Sequence, residues 1–272
     1  MGDKDFYHSL FFSVEAIVFG LLTALLFMYY HGLGRQYVKY WMLSLLSLSV
    51  HHIFLAVEAQ LTDLSVIALE KVILTCFIQL SIYFHLLALL LGIYSAISSK
   101  KISKSIIYNT LMTTTFFAIT ATLLYGFEVD EVYNRFYLRE SLPAFLMGCS
   151  LLLTALTLYN SSKKYFSTRV FISYSLLMGL RYILFSFLSI VMINEYWFKE
   201  LIQILIYFDM GAFTLLAFSM LIWMQGAERN IAISAVNKAQ YLGKHDSLTG
   251  ALNRQQVMEK LPLIIKKAES YQ

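Results

Sequence analysis

The sequence predicts an all-α polytopic membrane protein: seven transmembrane helices, N-terminus outside and C-terminus inside, followed by a cytoplasmic signalling helix. Three observations lead there. Seven segments stay apolar over the roughly 20 residues that a helix needs to cross the hydrocarbon layer. The loops between them alternate in charge. The composition, 58% hydrophobic and 14% charged over 272 residues, lies outside the range of water-soluble domains. Two prolines leave little sequence for linkers, and no period of about 20 to 50 residues repeats along the chain. Cys76 and Cys149 fall inside apolar runs, where a thiol behaves as a small buried hydrophobe and a disulfide framework is not expected.

The N-terminal MGDKDFYHSL lacks the net positive region of a signal peptide, so the apolar run after it counts as the first span, Phe6 to Tyr30. Arg35 and Lys39 lead into the second, Tyr37 to Ala56, and Glu58 and Asp63 follow it. The third runs from Val66 to Tyr94 and ends at Lys100, Lys101 and Lys104; the fourth, Ile106 to Tyr125, ends at Glu128, Asp130, Glu131 and Glu140. The fifth and shortest is Leu142 to Tyr159, before Lys163, Lys164 and Arg169. Val170 to Ile193 forms the sixth, Glu195 and Glu200 stand in the next loop, and Leu201 to Gln225 forms the seventh. Basic loops remain on the cytoplasmic side of a membrane, which sets the orientation. The same rule accounts for the net charge of +4 without any nucleic-acid partner, and the expected location is a bacterial cytoplasmic membrane.

From Gly226 the chain turns polar and helix-forming, with Ile231, Ala235 and Leu242 near heptad spacing. Gly243 supplies a stop signal. The stretch HDSLTGALNRQQ, His245 to Gln256, then restarts a helix, with Asn253 as its cap and Gln256 at the third helical position of a capping box. Pro262 is expected to limit that second helix or offset its start.

HDSLTGALNR resembles the opening of the GGDEF family of diguanylate cyclases, which usually begins DxLTGLxNRR. Asp246, Leu248, Thr249, Gly250, Leu252, Asn253 and Arg254 match, while Ala251 and Gln255 depart from the common Leu and Arg. The resemblance implies a division into a sensor domain over 1–225, a signalling helix over 226–245 and the start of a GGDEF domain over 246–272. It also implies an ion pair between Asp246 and Arg254, and a homodimer formed through the cytoplasmic helix. The family condenses two GTP molecules into cyclic di-GMP with carboxylate-bound Mg²⁺. Its DxDxFK and GGDEF segments do not occur here, so no catalytic residue is expected in this chain, and GTP and Mg²⁺ would belong to a domain beyond Gln272.

Ionisable residues inside spans are costly and mark functional sites. Five stand out: Glu15, His51, His52, Arg181 and Asp209. Helical rise puts Asp209 roughly 13 Å and Arg181 roughly 18 Å below the outer boundary, which predicts an ion pair if spans six and seven are neighbours. His51 and His52 point about 100° apart, so at most one is expected to face the bundle centre, with Glu15 as its partner. Such a cluster could bind a transition metal or respond to pH, but no HxxxH or other repeated ligand spacing occurs and no metal site is expected. Span boundaries put His85 about 18 Å deeper than His51, too far for a shared haem. With no lysine on span seven, retinal chemistry is excluded. The expected function is membrane sensing of a small molecule or lipid ligand, with cyclase regulation as output. The alternative is a transporter or channel, which the lack of repeats and the few Gly or Pro breaks within spans disfavour.

Overall fold

The computed structural model describes residues 3–61, 69–98, 102–126, 136–160, 165–246 and 249–270. Within them, seven helices are long and apolar enough to cross a membrane. These are α1 (Asp3–Leu33), α2 (Gln36–Glu58), α3 (Leu69–Ser98), α4 (Lys104–Gly126), α5 (Leu142–Asn160), α6 (Phe166–Met192) and α7 (Tyr196–Lys244), followed by α8 (Arg254–Glu269). The fifth span is longer than its apolar run suggests. A π-helical turn, Tyr137–Ser141, precedes α5 directly, with the Leu142 N–H reaching back to Tyr137 O. Asp63, Lys100, Lys101, Glu128, Asp130, Glu131, Lys163 and Lys164, among the loop charges expected to set orientation, lie outside the described residues.

Packing divides the chain into Met1–Met220 and Leu221–Gln272. In the first unit α2 runs antiparallel to both α1 and α3, as their hydrogen bonds show. The Ser9 hydroxyl donates to Ala56 O and the Ser49 hydroxyl to Ala16 O, so seven residues forward on α1 match seven backward on α2. His51 to Ile78 and His85 to Ser44 repeat the pattern between α2 and α3. Helices α5 and α6 meet at glycines: a Cβ on Gly148 would lie 2.8 Å from Gly179 O, and one on Gly179 would lie 3.1 Å from Gly148 O. Small residues at such a crossing let two backbones approach where no hydrophobic force drives helices together.

Trp41, Phe19, Phe171 and Phe198 are fully buried between helices. Ile17, Leu21, Met28, Phe116 and Leu177 point outward and are each more than 60% accessible, a surface that lipid satisfies and water does not. Several hydroxyls inside the spans return to their own helix: Thr23 to Phe19 O, Ser81 to Phe77 O and Thr122 to Ala118 O. Each such bond satisfies the hydroxyl without water at that depth. The chain has the features of a multi-pass membrane protein. Cys76 and Cys149 are free thiols, half-buried rather than enclosed.

In the second unit, α7 runs one residue past Gly243, and the turn folds back on its end. Asp246 N–H donates to Ala251 O (2.7 Å) and Asn253 N–H to Lys244 O (2.9 Å), closing an antiparallel bridge between His245 and Leu252. Gly250 adopts φ 70°, which no β-branched residue would tolerate. Asn253 Oδ1 accepts from Gln256 N–H at 2.9 Å, as an N-cap should. The reciprocal half of the capping box is absent: the Gln256 side chain donates forward to Glu259, because Lys244 O already holds the Asn253 N–H. Pro262 does not limit α8, which continues through it to Glu269.

Candidate functional site

Near the end of the first unit where α1, α3, α5 and α7 begin, the helices part around a cavity of about 640 Å³. That volume suits a small organic molecule. Four of the five residues singled out by the sequence line it: Glu15, His51, His52 and Asp209. Arg181 stands behind Asp209 as its partner.

Glu15 on α1 and His52 on α2 are brought together because the antiparallel pairing of those helices sets them level. His52 Nε2 lies 2.9 Å from Glu15 Oε2, with side chains 5% and 2% accessible. The other ring nitrogen, Nδ1, is 2.7 Å from Leu48 O, an acceptor, so Nδ1 carries a hydrogen. The Nε2···Oε2 contact then needs one more proton, held either as imidazolium with carboxylate or as imidazole with carboxylic acid. Glu15 Oε1 is buried with no partner.

The expected ion pair between α6 and α7 is present. Arg181 Nη1 donates to Asp209 Oδ1, and the Tyr182 hydroxyl donates to the same oxygen at 2.9 Å. The guanidinium also lies over the rings of Tyr182 and Phe208, 4.7 and 4.9 Å from their centroids. This pair is more open than the first, at 18% and 30% accessible.

Two expectations from helical geometry fail. His51 and His52 both line the cavity: His52 turns toward α1, while His51 reaches sideways to α3, where its Nδ1–H donates to Ile78 O at 3.0 Å. A 100° separation leaves room for both when the cavity has helices on two sides. His85 is also closer than span boundaries implied. Its Nδ1 pairs with Ser44 O at 3.1 Å and with the Ser44 hydroxyl at 2.9 Å, which sets it level with Ser44, roughly 10 Å by helical rise from His51. Phe213 of α7 fills the space between, its ring 6.3 Å from His52 and 5.9 Å from His85. Among the described residues no three of His, Cys, Asp and Glu converge on a point where they could hold a metal ion.

Sequence reasoning missed part of the wall. Gln79, buried in α3, donates from Nε2 to Arg139 O at 3.1 Å and leaves Oε1 without a partner. Glu58 and Glu140 count as loop acids in the sequence, yet both line the cavity, with Lys71 and Arg139 opposite. Arg139 and Glu140 belong to the π-helical turn before α5, a local widening that recurs at functional sites. A polar residue in the middle of an apolar span was the available signal for Gln79; Tyr182 and Phe213 carried none.

Of the junction residues, Leu248 lies outside the described residues. Asp246 Oδ1 accepts from the Thr249 N–H (2.9 Å) and hydroxyl (3.0 Å), so its described contacts run to Thr249 and not to Arg254. Thr249, Gly250 and Asn253 each hold a defined place in the turn.

The chain matches no protein-family model, no curated protein and no solved structure.

Proposed function

We propose that the chain is the sensory input module of a membrane receptor in a bacterial cytoplasmic membrane. Its basic loops face the cytoplasm, and its cavity opens toward the outer side. The output is a GGDEF-type diguanylate cyclase domain joined at Asp246. One observation carries the reading most: α7, Tyr196–Lys244, bears Asp209 and Phe213 in the cavity wall and ends at the turn spelled HDSLTGALNR. A ligand that binds two packings of the bundle unequally biases α7 between them, and a few kcal/mol suffices. The homodimer forms through the cytoplasmic part of α7, where Ile231, Val236 and Leu242 are exposed. The exposed Met258, Leu263 and Ile264 of α8 suit a following domain that covers them.

The test has two parts. Reading the gene beyond the codon for Gln272 should reveal DxDxFK and GGDEF-like segments within about a hundred residues, and a stop codon there contradicts the output. Cyclic di-GMP in cells expressing the full gene product should then change on Asp209→Asn substitution. Substrate flux in proteoliposomes, with cyclic di-GMP unaffected by cavity variants, replaces this reading with a transporter.

A further inference from the structure

We infer that the cavity binds a small organic ammonium ion, with its N–H donors on an acceptor-only wall built by Glu15, His51, Gln79 and Asp209. The inference rests on the sensor reading for its physiological role, but not for binding itself.

Every donor on the inner wall with an assigned partner is spent within the protein. His52 gives Nδ1–H to Leu48 O and faces Glu15 through Nε2. His51 gives Nδ1–H to Ile78 O, Gln79 gives Nε2–H to Arg139 O, and Tyr182 gives its hydroxyl hydrogen to Asp209. What remains on Glu15, His51, Gln79 and Asp209 is of one kind, while the His8 ring, stacked on Tyr207, brings a ring N–H to the lining. Glu15 Oε1 and Gln79 Oε1 are buried acceptors without partners, on residues 2% and 3% accessible that both line the cavity. His51 Nε2, with the ring hydrogen held at Nδ1, offers a lone pair. Asp209 Oδ1 takes both Arg181 and Tyr182, which leaves Oδ2 as a carboxylate oxygen on a side chain 30% accessible. Arg181, the cation nearest this group, is not among the residues lining the cavity.

Buried acceptors without donors are expensive in an apolar setting. A ligand that supplies several N–H groups and a positive charge removes that cost, whereas an anion adds to it. The body of the ligand meets aromatic surface. Phe12, Phe185 and Phe213 line the same space as Tyr182, and ring faces attract an ammonium group. Elsewhere on the lining, Lys71 and Arg139 lie near Glu58 and Glu140, two bases and two acids, so this part of the wall neither repels nor selects a cation strongly. A bare metal ion does not fit the arrangement: the space of about 640 Å³ is that of an organic molecule, and no three ligand side chains converge among the described residues.

Isothermal titration calorimetry on the protein in lipid nanodiscs, with 2-phenylethylammonium, 2-phenylethanol and 3-phenylpropionate as probes of matched body and different head group, tests the inference. The ammonium compound should bind tighter than the alcohol by about tenfold or more, the worth of a charged hydrogen bond, and the carboxylate weakest. Asp209→Asn should remove that advantage and leave the alcohol unchanged. Gln79→Leu, which adds no charge and keeps the helix, should weaken the ammonium compound by a smaller factor. Equal binding of amine and alcohol, tighter binding of the carboxylate, or no binding of the amine overturns the inference, and this comparison needs no variant to fold. Amine-selective binding without any change in cyclic di-GMP output sinks the sensor reading alone; an output that responds to cavity variants without amine selectivity sinks the ligand class alone.

Discussion

The two ion pairs of the cavity wall look alike in sequence, each an ionisable pair inside apolar spans, yet the structure gives them different character. Glu15–His52 is sealed between α1 and α2, and its geometry demands a shared proton because the second ring nitrogen is tied to Leu48 O. Arg181–Asp209 joins α6 to α7 around a permanent cation, is steadied by Tyr182, and leaves one carboxylate oxygen open. The buried pair ties α1 to α2 and keeps one unpartnered oxygen, Glu15 Oε1, on a residue that lines the cavity. The open pair can hold helices and still meet a ligand.

This contrast can be broken by experiment. The largest expected effect is that of Glu15→Ala, which leaves a sealed imidazole without its partner and should cost about 3–5 kcal/mol, read as loss of folded protein or a deep fall in Tm in detergent. Glu15→Gln, whose amide N–H can donate to the Nε2 lone pair, should recover most of it. Asp209→Asn should cost less, about 1.5–3 kcal/mol, because the amide still accepts from Arg181 and Tyr182 in a partly open setting; an Asp209→Asn variant less stable than Glu15→Ala refutes the contrast. Gln79→Leu should cost about 1 kcal/mol, the loss of one hydrogen bond to Arg139 O. The last prediction concerns no energy at all. Nitrogen-15 NMR of histidine-labelled protein should show His51 and His85 with hydrogen on Nδ1 and none on Nε2, and the reverse tautomer on either ring contradicts the anchoring to Ile78 O and Ser44 O.

How much of this was legible in the sequence follows from what a bilayer forbids. Charged groups in apolar runs are conspicuous, so Glu15, His51, His52, Arg181 and Asp209 stood out, and helical rise was enough to pair Arg181 with Asp209 and to set Glu15 level with the two histidines. Rise along isolated helices was not enough for His85 or for the shared wall of His51 and His52, because those depend on how α2 and α3 are staggered. Glu58 and Glu140 were legible as acids but not as wall residues, since a charge count cannot distinguish a loop from the first or last turn of a helix. The π-helical turn before α5 carried no composition signal. At the other end of the chain, Asn253 was readable as a cap from its neighbours. The engagement of its N–H by Lys244 O was not, because that bond comes from the turn folding back.

The proposed receptor requires a cavity that opens to the outer side at Asp209, with Glu15, at 2% accessible against 30%, far less exposed. Labelling with a membrane-impermeant thiol reagent measures this directly, using Asp209→Cys and Glu15→Cys separately in a Cys76→Ser, Cys149→Ser background, in right-side-out vesicles. Modification at position 209 from outside, with position 15 protected, is the predicted result. Modification at 209 from the cytoplasmic side alone, or equal modification at both positions, would contradict it.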